Sequence, residues 1–401
     1  MDFEPWWLII VPVLFALGWI AARVDIRQML SETRTLPKSY FKGLNFLLNE
    51  EPDRAIDAFI EVAKLDPETT ELHFALGSLF RRRGEMERAI RVHHSLLARA
   101  DLPEADREMA QHELGHDYLK AGMLDRAEAA FTSVLETRFA VDAIRSLIRI
   151  YEVGHEWERA IEAVKKLQAL VDEPVPQLAH YHCERAEMAL MDNPPDLAAA
   201  SSALDAADHA ADILRGEGRE HASKARIAML RARLLAVSGN VEGQRGWLAS
   251  VLTSAPEYGS LIAAELLDCY RQLGQAQEGL ALLQSHYQQY PSLDTFNLVF
   301  RELRAQQGHN VAWAFARDAL RKQPSLLALD RVLETELDAP GLQSATGADL
   351  GLLRSIIHKH TQRLDRYTCR VCGFEARHYY WQCPGCNSWE TYQPRRVEEL
   401  Q

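Results

Sequence analysis

Four cysteines near the end of a 401-residue chain carry the most specific chemistry in the sequence: Cys369 and Cys372, then Cys383 and Cys386, in the pattern C-x2-C-x10-C-x2-C. A thiolate pair two residues apart grips an ion from one tight turn, and two such pairs close a tetrahedron with no open position. The expectation is one iron or zinc ion held by Cys369, Cys372, Cys383 and Cys386, with a structural role; the spacing does not choose between the metals. Roughly forty residues bury little core, so metal binding would supply the folding free energy of the segment Arg363–Arg395. Tyr379, Tyr380, Trp381, Trp389 and Tyr392 would add a small aromatic core or a docking face.

A second group needs weighing. His112-Glu113-Leu114-Gly115-His116 matches H-E-x-x-H, in which two imidazoles one helical turn apart hold zinc and the glutamate acts as base. Catalytic zinc also needs a third protein ligand and a shaped cleft. The extended form of the motif is absent, and an acidic ligand such as Glu136 would have to come from across a helix boundary. Leu114 and Gly115 fall on packing positions of a repeat, so the histidines read as solvated helix residues, and one metal per chain is expected. No Gly-x-Ser-x-Gly, phosphate-binding glycine loop or dinucleotide fingerprint occurs, so the chain reads as a non-enzyme without catalytic residues.

The elements that position these groups repeat with a period of about 34. Gly43, Phe46, Ala55 and Phe59 recur 34 residues on as Gly77, Phe80, Ala89 and His93, then as Gly115, Tyr118, Ala127 and Phe131. Tyr151 and Ala160 carry a fourth copy. Pro256, Pro291 and Pro324 each follow an amphipathic stretch they would end. The period resembles the tetratricopeptide family of antiparallel helix pairs, strongly in the first four units and faintly over Ala179–Glu257. With Leu, Ala, Glu and Arg dominant, the fold class expected is all-α: a superhelical tetratricopeptide solenoid over residues 38–338, a linker or helix over 339–362, and a four-cysteine module over 363–401. Small residues on one helix of each pair would let its partner approach, and Gly84, Gly122, Gly239 and Gly274 would end helices in the left-handed region. Such a stack exposes a concave face built by the first helix of each pair, suited to binding proteins.

Ahead of the array, Trp6–Ala22 is a run of 17 residues without a charge, long enough at 1.5 Å per residue to cross about 26 Å of hydrocarbon. Asp2 and Glu4 replace the basic start of a cleaved signal, so residues 1–24 read as a permanent transmembrane anchor. Arg23, Arg27, Arg34, Lys38 and Lys42 follow it, with residues 25–37 as a basic juxtamembrane linker, which places the bulk of the chain in the cytoplasm and the N-terminus in the periplasm. The net charge of −12 argues against nucleic-acid binding. Cys183 and Cys269 sit alone in helical patterns as buried thiols, consistent with a reducing compartment.

The two halves Cys-x-x-Cys-Gly and Cys-Pro-x-Cys resemble the knuckles of rubredoxin, with a spacer too short for the full rubredoxin sheet. Together with the anchor, the repeats, Gly-Leu-Asn-Phe-Leu-Leu at 43–48, Arg366-Tyr-x-Cys-x-x-Cys-Gly-Phe and Tyr380-Trp-x-Cys-Pro-x-Cys, they make the whole chain resemble the lipopolysaccharide assembly protein B family. The resemblance implies an inner-membrane adaptor that regulates lipopolysaccharide biosynthesis. Its implied partners are the membrane-anchored AAA+ protease FtsH, the committed-step deacetylase whose proteolysis it promotes, and other lipopolysaccharide assembly or inner-membrane proteins. The alternative from the residues alone is a membrane-tethered rubredoxin-type redox module or a zinc-ribbon nucleic-acid-binding module.

Overall fold

The computed structural model describes residues 51–65, 69–171, 174–212, 220–337 and 345–400, with isolated positions between 13 and 49. Among the described residues no helix is long and apolar enough to cross a membrane. The run Trp6–Ala22 lies outside them except for Val13, Phe15, Ala16 and Trp19, which are helical, and the linker 25–37 lies outside them altogether. The chain divides into two compact units that part between Ile150 and Tyr151.

The first unit contains α1 (Pro52–Leu65), α2 (Thr70–Arg83), α3 (Met86–Leu97), α4 (Glu104–Lys120), α5 (Leu124–Thr132) and most of α6 (Ala140–Val153). Helices α2 and α3 pack as a pair, as do α4 and α5, while the first helices α2 and α4 also touch each other. Apolar residues at helical spacing explain this: α3 buries Ala89, His93 and Leu96 on one stripe, the i, i+4, i+7 pattern of an amphipathic helix. The repeat glycines act as expected. A Cβ on Gly43 would stand 2.7 Å from the Phe59 ring and one on Gly115 would stand 2.8 Å from Phe131, so the ring of the second helix lies directly over the bare backbone of the first. At the end of α2, Gly84 has φ 85° and its N–H returns to the carbonyls of Phe80 and Arg81, a left-handed stop open to glycine at little cost.

Unit 2 contains the end of α6 and then α7 (Trp157–Leu170), α8 (Gln177–Met191), α9 (Leu197–Asp212), α10 (Glu220–Val237), α11 (Val241–Ser254), α12 (Gly259–Gln272), α13 (Ala276–Gln289), α14 (Leu293–Gln306), α15 (His309–Lys322), α16 (Leu326–Leu337) and α17 (Ala345–Thr361). From α8 onward the helices pack two by two, and the first helices stack in series, α8 on α10, α12 on α14 and α14 on α16. The region of faint repeat signal is as regular as the rest. The buried face of α9 is Ala200, Ala203, Leu204, Ala207, Ala210 and Ala211, mostly small side chains that do the work that glycine and an aromatic ring share in unit 1. Further on, α14 buries Phe296, Val299, Phe300 and Leu303, each large side chain contributing about 1.5–3 kcal/mol of transfer free energy.

In the second repeat a histidine takes the aromatic place. His93 is fully buried, its Nδ1 lies 2.6 Å from Asp117, and Asp117 is paired at 2.8 Å with Arg81. A Cβ at Gly77 would come within 2.3 Å of that fixed ring. Gly77→Ala should therefore destabilise unit 1 by about 1–3 kcal/mol, the range of core overpacking. Gly246→Ala, where a Cβ meets nothing within 4 Å, should be neutral or stabilise by a few tenths of a kcal/mol; urea melts showing equal effects would sink the overpacking account.

Candidate metal centre

Each cysteine knuckle is a turn closed by its own backbone. The Gly373 N–H donates to the Cys369 carbonyl at 2.9 Å and the Asn387 N–H to the Cys383 carbonyl at 2.8 Å. The N–H groups of Val371 and Gly385 point at the sulfurs of Cys369 and Cys383, each at 3.4 Å. The residue after each second cysteine is left-handed, with φ 74° at Gly373 and 56° at Asn387, and glycine and asparagine are the types that accept this backbone most readily. A two-stranded antiparallel pair, β1 (Tyr367–Thr368) and β2 (Glu375–Ala376), frames the first knuckle, a single bridge Gln382–Trp389 frames the second, and a bridge Cys369–Tyr392 ties the chain after the second back to the first.

The four sulfurs lie within 4.8 Å of one another, with Cys369–Cys386 at 3.8 Å and Cys372–Cys383 at 3.7 Å. A tetrahedral ion with metal–sulfur bonds of about 2.3 Å spaces its sulfurs about 3.8 Å apart, whereas a disulfide would need about 2.05 Å. The geometry fits a four-thiolate metal-binding site for one iron or zinc ion. Burial opposes ionisation of Cys369, yet the Thr391 hydroxyl 3.2 Å from its sulfur and the knuckle N–H groups bring its pKa down to about 6. The Cys372 thiol is shifted the other way, up to about 12, so coordination itself must remove its proton.

Residues 367–394 match the family model described as rubredoxin metal binding domain, and residues 42–93 match the tetratricopeptide repeat. Lipopolysaccharide assembly protein B of Escherichia coli (strain K12) is 31% identical over 391 residues, covering 97% of both chains. The chain belongs to the lipopolysaccharide assembly protein B family. Its namesake in Haemophilus influenzae is 26% identical and covers 98% of both chains. Among solved structures, a tetratricopeptide repeat protein from Parabacteroides merdae aligns with 75% of this chain and 98% of its own at 13% identity and a TM-score of 0.31.

In this family member the metal module does not hang from the array. It lies along the first helices of unit 2. Trp389 stacks on His180 of α8 with ring centroids 4.9 Å apart and donates its indole N–H to Glu152 at 2.8 Å. Glu390 accepts from His180 Nε2 at 2.7 Å and from the Ser223 hydroxyl of α10 at 3.1 Å. Trp381 stacks on Tyr258, just ahead of α12, with centroids 5.6 Å apart. Arg396 forks onto Asp294 of α14 at 3.0 and 3.1 Å, over the face of Tyr367. Glu398 accepts from the N–H groups of Leu326 and Leu327 at 2.7 and 3.0 Å, a carboxylate at the positive end of α16. Glu399 does the same for Leu293 of α14 at 3.0 Å.

The aromatic cluster therefore divides. Tyr379 and Tyr392 pack with the cysteines, Trp381 and Trp389 dock, and Tyr380 stays exposed. The first-helix face expected to lie open for partners is, in unit 2, covered by the chain's own module. Sequence reading missed Glu390, Arg396, Glu398 and Glu399, because a charge near a metal knuckle reads as solvated until the distant helix that needs it is known.

His112 and His116 are also placed differently from expectation. His112 is buried, stacked on Phe139 with centroids 4.5 Å apart, since the turn just ahead of α6 folds over it instead of leaving it to solvent. Both histidines turn Nε2 toward Asp142, at 2.8 and 2.9 Å; Glu136, the acidic residue considered from the sequence, is exposed. Glu113 is held at 2.5 Å by Arg81, which keeps its carboxyl below the usual range against the cost of burial.

Two outcomes follow from the docked centre. Replacing Cys383 and Cys386 with Ser should remove the bound metal and the hydrogen-exchange protection of residues 367–394 while far-UV circular dichroism barely changes; protection that survives metal loss would show that docking alone folds the module. The second concerns pH. Arg226 Nη1 lies 3.4 Å from His180 Nδ1, so Nδ1 accepts and Nε2 carries the proton given to Glu390. Burial lowers the His180 pKa below its usual 6.5; the Glu390 contact opposes this and Arg226 adds to it. A histidine kept neutral in the folded state contributes stability that is complete above its unfolded pKa and is lost as pH falls below it. The thermal midpoint of unit 2 should drop between about pH 7.5 and about pH 5.5, and His180→Gln should flatten that drop. An equal slope in the variant would assign the acid sensitivity elsewhere.

Proposed function

We propose that the chain is an inner-membrane-anchored adaptor that restrains lipopolysaccharide synthesis by presenting the committed-step deacetylase to the membrane-anchored AAA+ protease FtsH. The observation that carries this reading is the metal module seated on unit 2. An ion closed in by Cys369, Cys372, Cys383 and Cys386 has no open position and supplies folding free energy. The module it folds is fixed to five successive first helices, which makes a rigid platform instead of a shuttling redox carrier. Family membership supports the lipopolysaccharide context. The uncharged run Trp6–Ala22 and its basic flank support a single span with the bulk of the chain cytoplasmic, as does the exposure of Val13, Phe15 and Trp19.

The anchor confines the adaptor to the plane in which the protease is held and so raises the effective concentration of one for the other. With unit 2 covered by the module, partner contact falls to the first-helix face of unit 1 and to the outward side of the module, where Val371, Phe374 and Tyr380 are exposed. Deleting residues 1–24 should leave a folded array and lengthen the half-life of the deacetylase in cells several-fold, and Trp389→Ala combined with Glu390→Ala should do the same with the anchor intact. A reporter fused after Gln401 should be active in the cytoplasm. Deacetylase turnover that is unchanged when the whole chain is removed would refute the adaptor reading.

A further inference from the structure

We propose that His112, His116 and Asp142 form a second metal site, which takes a divalent ion of the zinc class through two imidazoles and one carboxylate. The three ligand atoms lie within 4.8 Å of one another. His112 and His116 stand one turn apart on α4, and Asp142 reaches them from α6, so the ion would clasp the first helices of two successive repeats.

The imidazoles are held in place before any ion arrives. His112 lies flat on Phe139, His116 meets Phe131 edge-on at 5.0 Å, and the two imidazoles meet at 87° with centroids 4.6 Å apart. Both Nε2 atoms converge on the same carboxylate oxygen, at 2.8 and 2.9 Å. As plain hydrogen bonds this arrangement uses both Nε2 protons and leaves His112 Nδ1 as a buried lone pair with no partner. An ion seated between the three ligand atoms reverses the assignment. Each Nε2 gives its lone pair to the metal, and His112 Nδ1 becomes the proton-bearing atom, facing the Glu113 carboxylate 3.9 Å away. Metal-bound histidines are habitually oriented by a carboxylate behind the ring, and a shift of about 1 Å would bring Glu113 within hydrogen-bond reach of that nitrogen.

Two nitrogens and one oxygen suit zinc better than calcium or magnesium, which favour oxygen alone. The Asp142 side chain is about half exposed and that of His116 about a third, so water can reach the ion and complete its tetrahedron. The motif glutamate does not serve as a free base, because Arg81 holds one of its oxygens and its backbone carbonyl. The site therefore binds and braces, and is not that of a hydrolase.

The test uses the untagged, full-length chain in detergent with its cysteine site loaded, titrated calorimetrically with Zn2+ and assayed for metal content after equilibrium dialysis. Two equivalents are expected in the wild type and one in His116→Ala and in Asp142→Ala, with helicity unchanged by circular dichroism. Co2+ added to the loaded wild type should give weak visible bands without thiolate charge-transfer absorption, a readout that does not depend on either variant folding. One equivalent in the wild type, or a second equivalent that persists in both variants, would overturn the assignment.

Discussion

Much of unit 2 follows from the burial of one guanidinium. Arg226 is 2% exposed, and an unpaired cation at that depth is not sustainable. Glu184 answers it at 2.6 Å and Glu187 at 3.4 Å from within the array. His180 of α8 stands 3.4 Å from it, and the module closes the other side, with the indoles of Trp381 and Trp389 5.8 and 5.7 Å away. Burial, with the same cation adding to it, keeps His180 neutral, and neutral His180 donates to Glu390. Array and metal module are thus complementary halves of one electrostatic arrangement, in which removing either side exposes a charge or an apolar face the other was built to cover.

The metal and the dock divide the task of folding a segment too small to fold by hydrophobic burial. Thiolate coordination fixes the two knuckles against each other, while the array supplies the apolar area that the module lacks, through Tyr258 and Leu261. Both contributions act on geometry: the ion sets the two knuckles and the array sets the module's orientation.

How much of this could be read in advance depended on distance along the chain. The knuckles were legible because both ligands of each lie within one turn, and the first repeats because Gly43, Gly77 and Gly115 are matched by a large ring sixteen residues later. Ala200–Ala211 concealed its repeat because alanine against alanine packs well and leaves no distinctive pairing. Asp142 was not recognised as the partner of His112 and His116, since only the stacking of one helix pair on the next brings residues 30 and 26 positions apart together. The Glu390–His180 contact spans 210 positions, beyond anything periodicity encodes.

The two carboxylates that cap array helices carry a consequence for biosynthesis. The N-terminal N–H groups of α14 and α16 find their acceptors in Glu399 and Glu398, 106 and 72 positions downstream. On the ribosome those helices emerge first with only part of their amino ends satisfied, by the local caps Ser292 and Ser325, while the stack beneath them can already form from nearest neighbours. The end of unit 2 therefore cannot reach its final state vectorially. It must wait for the module to be made and to fold back, so the last residues of the chain complete helices begun 106 and 72 positions earlier.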